Sequence, residues 1–212
     1  ETYDYREMYR WLQSSKFDHR DTYNAIQANY EFRNEHLPIQ TERLERYYNS
    51  GFLYFLNRDK CFRPICIIDM YKLMNDIDEE DILDYTLMTL EHVCENGLVP
   101  GKVENWIVII DCKDLWVTQI STSKVQTMAT IMQQNYPGRL YKLFALNVSW
   151  TLRAIWSVVS NFVDSFTEHK VKIFGSDYED ALLELIDADK LEEKFGGAYP
   201  DKTSEFFPPK LS

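Results

Sequence analysis

Residues 51–70 read "GFLYFLNRDKCFRPICIIDM". Two short apolar runs flank "NRDK", a turn composition. The second run, Ile65 to Ile68, is β-branched and nearly unbroken. A solid apolar run fits a strand buried on both faces better than one with a wet face. Outward from this point the same kind of run recurs. "VENWIVIID" (103–111) reads as another buried strand, "YKLFALNV" (141–148) as a further one, and 170–174 as the last. Helical patterns separate them. "DIDEEDILDYTLMTLEHVCENG" crowds acids into its first turn, where the helix dipole favours them, and stops at Gly97. "STSKVQTMATIMQQNYPG" reads as a helix capped by Ser121 or Thr122. Residues 150–162 form a helix, and "DYEDALLELID" a final one. Solid strands alternating with helices predict an α/β fold, a mostly parallel sheet covered by helices, with right-handed crossovers.

Residues 1–50 have a different rhythm and are read as a small helical lobe, with 51–212 as the main domain. Tyr5, Met8, Tyr9 and Leu12 follow helical spacing. Asp18 caps a second helix whose apolar face includes Tyr23, Ile26, Tyr30 and Phe32, and Pro38 ends it. A short helical stretch, 41–48, follows.

Composition narrows the function classes. The chain has 212 residues and 45% hydrophobic content, enough for one large core. Aromatic residues reach 15%, more large apolar surface than a lean core requires. The net charge of −11 disfavours nucleic acid and constitutive binding to anionic membranes. The four cysteines form no CxxC pair, so neither a metal site nor a disulfide framework is expected, and an intracellular, cytoplasmic protein is. No dinucleotide or phosphate-loop glycine motif and no GxSxG elbow occurs. The acids at 76–81 suit a helix start, and His169 beside Glu168 suits a solvated loop. Binding is favoured over catalysis, with no cofactor.

"WTLRAIWSVVSNF" (150–162) is apolar over too wide an arc. Phe162, Ile155, Val159, Leu152 and Trp156 sweep roughly 120°, and Val158 widens this to about 160°. Trp150 lies beyond. Two readings stand. The helix is buried on two sides, or it is a lid, apolar against a lipid and able to touch a membrane. "SFTEHKVKIFG" (165–175) follows, with Thr167 three residues before Lys170 at the mouth of a strand. A cation and a hydroxyl there suit an anionic head whose apolar tail is buried, since a buried phosphate must be paired.

These stretches together resemble the CRAL-TRIO lipid-binding domain family, and especially the phosphatidylinositol transfer proteins within it. "YRWLQSSKFD" (9–18) is similar to the family's N-terminal helical motif. "RDKCFRPICIID" (58–69) is similar to its Asp–Gly–Arg–Pro strand entry, with Cys61–Phe62 in place of the glycine. "IVIIDCKDL" (107–115), "QQNYPGRLYKLFALNVSW" (133–150) and "KFGG" (194–197) complete the pattern over nearly the whole length. The resemblance implies a CRAL-TRIO-like fold: a sheet floor, a pocket, and a gate helix at 150–162. It implies a headgroup site at Lys16, Thr167 and Lys170. Trp150, Leu152, Ile155, Trp156, Val159 and Phe162 would line the gate, and Trp106 and Val108 the pocket floor. The last two stand where choline-binding hydroxyls are expected. Gly138 stands where the family has a glutamate. The implied function is non-catalytic carriage or presentation of a phosphatidylinositol-type phospholipid, as a monomer with transient, peripheral membrane contact. A neutral isoprenoid- or retinoid-like ligand, or a lipid-sensing module of a larger signalling protein, remain the alternatives.

Overall fold

The computed structural model describes residues 4–153 and 168–211. Its centre is a five-stranded sheet: β1 (Leu53–Arg58), β2 (Pro64–Asp69), β3 (Trp106–Asp111), β4 (Leu140–Leu146) and β5 (Val171–Ile173), in that spatial order. β1 pairs antiparallel with β2, and the other neighbours are parallel. The sheet is therefore mostly parallel, as the solid apolar runs require. The β1–β2 turn is tied by Asp59, whose Oδ1 accepts from the backbone amides of Cys61 (2.9 Å) and Arg63 (2.7 Å).

Successive strand residues point to opposite faces, so the sheet divides two cores. Phe55, Cys66, Trp106, Val108 and Ala145 face one side, against helices. Tyr54, Ile67, Ile107, Ile109 and Phe144 face the other, against the C-terminal segment through Leu182, Ile186 and Phe195. On the first side lie α3 (Met70–Asn75), α4 (Glu79–Asn96) and α5 (Thr122–Asn135). Ser121 caps α5 through its side chain, and Gly97 follows the end of α4. The final helix is shorter than its sequence pattern, α6 (Glu179–Leu183).

The N-terminal segment forms α1 (Tyr5–Ser14) and α2 (His19–His36), capped by Asp4 and Asp18. Their buried faces match the expected ones only in part: Phe32 packs against the main core. Tyr5 is 79% exposed and Tyr23 67%, and Tyr9 and Tyr30 are also exposed. Trp11 is buried in α1, and Thr22 and Asn29 in α2. The physical reason is the nature of the contact. These helices meet the rest of the chain through polar ties: Arg33 to Glu91 with both bonds at 2.9 Å, Asn29 to Asn135 at 2.9 Å, and Arg10 to Glu104 at 2.8 Å.

Candidate lipid cavity

Between the sheet and α5 lies a cavity of about 550 Å³. That is within the ordinary range for small-molecule sites. Its floor is the inward-facing register of the strands: Trp106, Val108, Ile110, Leu143, Ala145 and Ile173. Alternation alone puts these on one face, because they are two residues apart on each strand. Its roof includes Val125, Met128 and Met132 of α5. Trp106 sits edge-on to Phe55, with ring centroids 5.8 Å apart, and 6.3 Å from Tyr136. The Tyr136 hydroxyl donates to Glu91 at 2.7 Å, which fixes the ring in the wall. Burial, with the Glu91 carboxylate beside it, pushes that hydroxyl's pKa up, so it stays a donor.

The two ends of the cavity differ in chemistry. At the amino ends of β3, β4 and β5 the wall includes Asn105, Arg139, Tyr141 and Lys170, with Gln13 and Ser14 from α1. Arg139 and Lys170 are the charged residues among those lining the cavity. Arg139 is committed to Glu104, donating from Nη1 to its Oε2 at 2.8 Å; Arg10 Nη1 donates to the same oxygen at 2.8 Å. Lys170 Nζ donates to the Leu140 carbonyl at 2.8 Å. At the carboxyl ends of the strands the wall is apolar: Met70, Leu115, Ile120, Val148 and Leu152. The hollow is thus amphipathic along its length.

Trp106, Val108, Leu152 and Lys170 all line this cavity. Lys16 is exposed and does not line it; Gln13 and Ser14, just before it, do. Trp150 was expected on the wall and is instead 83% exposed. Trp150 and Leu152 lie about 200° apart around a helix, so only one of them can face the interior. A helix begins at Trp150, with the Leu152 amide donating to the Ser149 hydroxyl at 3.3 Å. Ile155, Trp156, Val159, Phe162 and Thr167 lie outside the described residues.

Sequence reasoning gave no role to Gln13, Ser14, Asn105 or Arg139. A signal for Ser14 existed: it follows Trp11 by three residues, on the same helix face. Gly138 also lines the cavity, with φ +70, and a Cβ there would stand 3.1 Å from the Arg10 side chain. The glycine lets α1 approach the rim. Among the described residues no His, Cys, Asp and Glu side chains cluster as metal ligands, and no helix is long and apolar enough to cross a membrane.

The profile of the CRAL/TRIO domain matches residues 48–197. The Sec14 cytosolic factor of Schizosaccharomyces pombe is 28% identical over 172 residues, spanning 74% of this chain and 59% of its own length. The phosphatidylinositol/phosphatidylcholine transfer protein SFH4 of Arabidopsis thaliana is 28% identical over 217 residues, 92% of this chain and 35% of its own length. The chain therefore spans less than two thirds of the length of these curated relatives. The crystal structure of Sfh5 superposes with a TM-score of 0.73 at 14% identity, covering 97% of this chain and 77% of that one. At that identity the likeness speaks to fold alone.

Proposed function

Because the chain belongs to the CRAL/TRIO domain family, we propose that it is a non-catalytic carrier or presenter of a phosphatidylinositol-type phospholipid. One observation carries the reading: the cavity is apolar along the sheet and ends at Lys170. Acyl chains fit the apolar length, and a phosphate fits the cationic end. A phosphate drawn into such a hollow needs a paired cation and hydrogen-bond donors, which Lys170, Asn105 and Gln13 can offer. Burying two acyl chains gives roughly 0.8 kcal/mol per CH₂. A bilayer offers nearly the same, so exchange between them is close to balanced. Headgroup contacts then set selectivity. The name of the SFH4 relative, a phosphatidylinositol/phosphatidylcholine transfer protein, supports this ligand class.

In this reading residues 1–50 form a lobe that borders the headgroup end, and residues 51–212 hold the lipid. The protein works in the cytoplasm and touches membranes only to load and unload. Lys170→Ala is expected to abolish phosphatidylinositol transfer between vesicles while the far-ultraviolet circular dichroism spectrum is unchanged. Unaltered transfer removes Lys170 from the site.

A second ligand class is favoured by one feature. No carboxylate lines the cavity among the described residues, and Gly138 stands at the rim. A neutral isoprenoid or retinoid-like molecule would need none. Native mass spectrometry of the purified chain separates the two: an inositol phospholipid in one case, a neutral lipid in the other.

A further inference from the structure

Among the described residues two tryptophans are exposed, and the topology places them on one edge. Trp116 is 74% exposed and Trp150 83%. Trp116 follows β3, which ends at Asp111, and Trp150 follows β4, which ends at Leu146. Asp111 and Leu146 are register partners in neighbouring parallel strands. Both tryptophans therefore emerge at the carboxyl ends of adjacent strands. Val117, beside Trp116, is exposed as well.

Each of these residues has an inward-facing neighbour. Leu115, immediately before Trp116, is buried and lines the cavity; so does Leu152, two residues after Trp150. The same two short segments thus present apolar residues both to the inner wall and to the outside. It is the apolar end of the hollow, opposite Arg139 and Lys170, that is continued outward in this way.

An exposed indole costs free energy in water but fits the headgroup level of a bilayer, where its apolar body is covered and its N–H finds a polar partner. Charge agrees. The chain carries −11 overall, yet the exposed ionic residues flanking this pair are Lys113 and Arg153 against Asp114. With the half-exposed Asp111 these segments are locally near neutral, so the overall negative charge is not gathered beside the two tryptophans.

We propose that the edge carrying Trp116, Val117 and Trp150 is the face this domain sets into a lipid bilayer, so that the apolar end of the cavity meets the acyl layer. The proposal rests on the carrier reading above and specifies its membrane partner and orientation. In this arrangement a lipid leaves the bilayer tail end first, and its headgroup is the last part to move.

The test uses the full chain and its Trp116→Ser/Trp150→Ser double variant. Both are sedimented with vesicles of phosphatidylcholine, alone and with added phosphatidylserine. Vesicle affinity is expected to fall by about tenfold or more in the double variant, as expected when large apolar side chains lose their burial. Native mass spectrometry is expected to find the same co-purified lipid in both proteins, because neither side chain lines the cavity. Each single variant repeats the measurement should the double variant melt early. Unchanged vesicle affinity, or a parent chain that ignores vesicles of both kinds, overturns the docking face while the carrier reading stands. Absence of co-purified lipid from both proteins, with vesicle binding still lost in the variant, supports the face and counts against the carrier reading instead.

Discussion

Lys124 is 9% exposed, and its Nζ donates to the carbonyl oxygens of Leu73 (3.2 Å), Met74 (3.0 Å) and Ile77 (2.7 Å). It closes the end of α3, where unpaired carbonyls gather and a cation is favoured. Lys124→Met leaves those three acceptors buried without that donor. A loss of roughly 2–3 kcal/mol is expected, seen as a melting midpoint lower by roughly 4–10 °C in a domain of this size. A midpoint within a degree of the parent's would refute that role. Nothing in the sequence marked Lys124, because its partners lie about fifty residues away along the chain. Phe62 is a different case. It stands where the resembling family has glycine, and its backbone adopts φ +64, a conformation that favours glycine. Here the departure was visible in the sequence, and the backbone shows Phe62 in the left-handed region that glycine adopts freely.

At the scale of elements, the strands were legible and the faces of α1 and α2 were not. Ile65 to Ile68 and Ile107 to Ile110 announce buried strands because both sheet faces are covered, so nearly every position is apolar. A helix gives only a periodicity. Where its contact is polar, the aromatic stripe does not mark the buried side, and Tyr5, Tyr23 and Tyr30 point outward. The polar tie centres on Glu104, which receives both Arg10 and Arg139. Burial raises the Glu104 carboxyl, but the Gly101 amide, Arg10 and Arg139 outweigh it and hold the group below the ordinary glutamate value. A lowered folded-state value means that this stabilisation is full above the unfolded value, near pH ~4.3, and is lost as pH falls through the folded one. Amide hydrogen exchange in α1 is therefore expected to speed up on acidification from pH 5 to pH 3, relative to the sheet. In Glu104→Gln it is expected to be fast already at pH 7 and to lose that acid response. An unchanged acid response in the variant would assign the effect elsewhere.

For the molecule as a whole, the cavity makes stability depend on what fills it. Ligand that binds only the folded state raises stability with its concentration, by about 2.7 kcal/mol at a hundred times Kd. Cys112 offers an internal reporter, since it lines the cavity and burial pushes its thiol up to about 12. Cys61 is exposed. At pH 8 a maleimide is expected to label Cys61 promptly and Cys112 roughly a hundredfold or more slowly, because the thiolate is the reacting form. Stripping lipid is expected to speed labelling of Cys112 and leave Cys61 unaffected, as read by peptide mapping. Equal rates at Cys112 with and without lipid would place the ligand elsewhere. The sheet that floors this hollow is a single layer, and that has a consequence for changing ligand size. Val108 faces the hollow while its neighbours Ile107 and Ile109 belong to the solid core behind. Odd and even positions of one strand thus answer to separate demands: a trimmed or enlarged side chain at 106, 108 or 110 reshapes the compartment and leaves the far side intact. Capacity and foldedness can be altered independently, one letter apart.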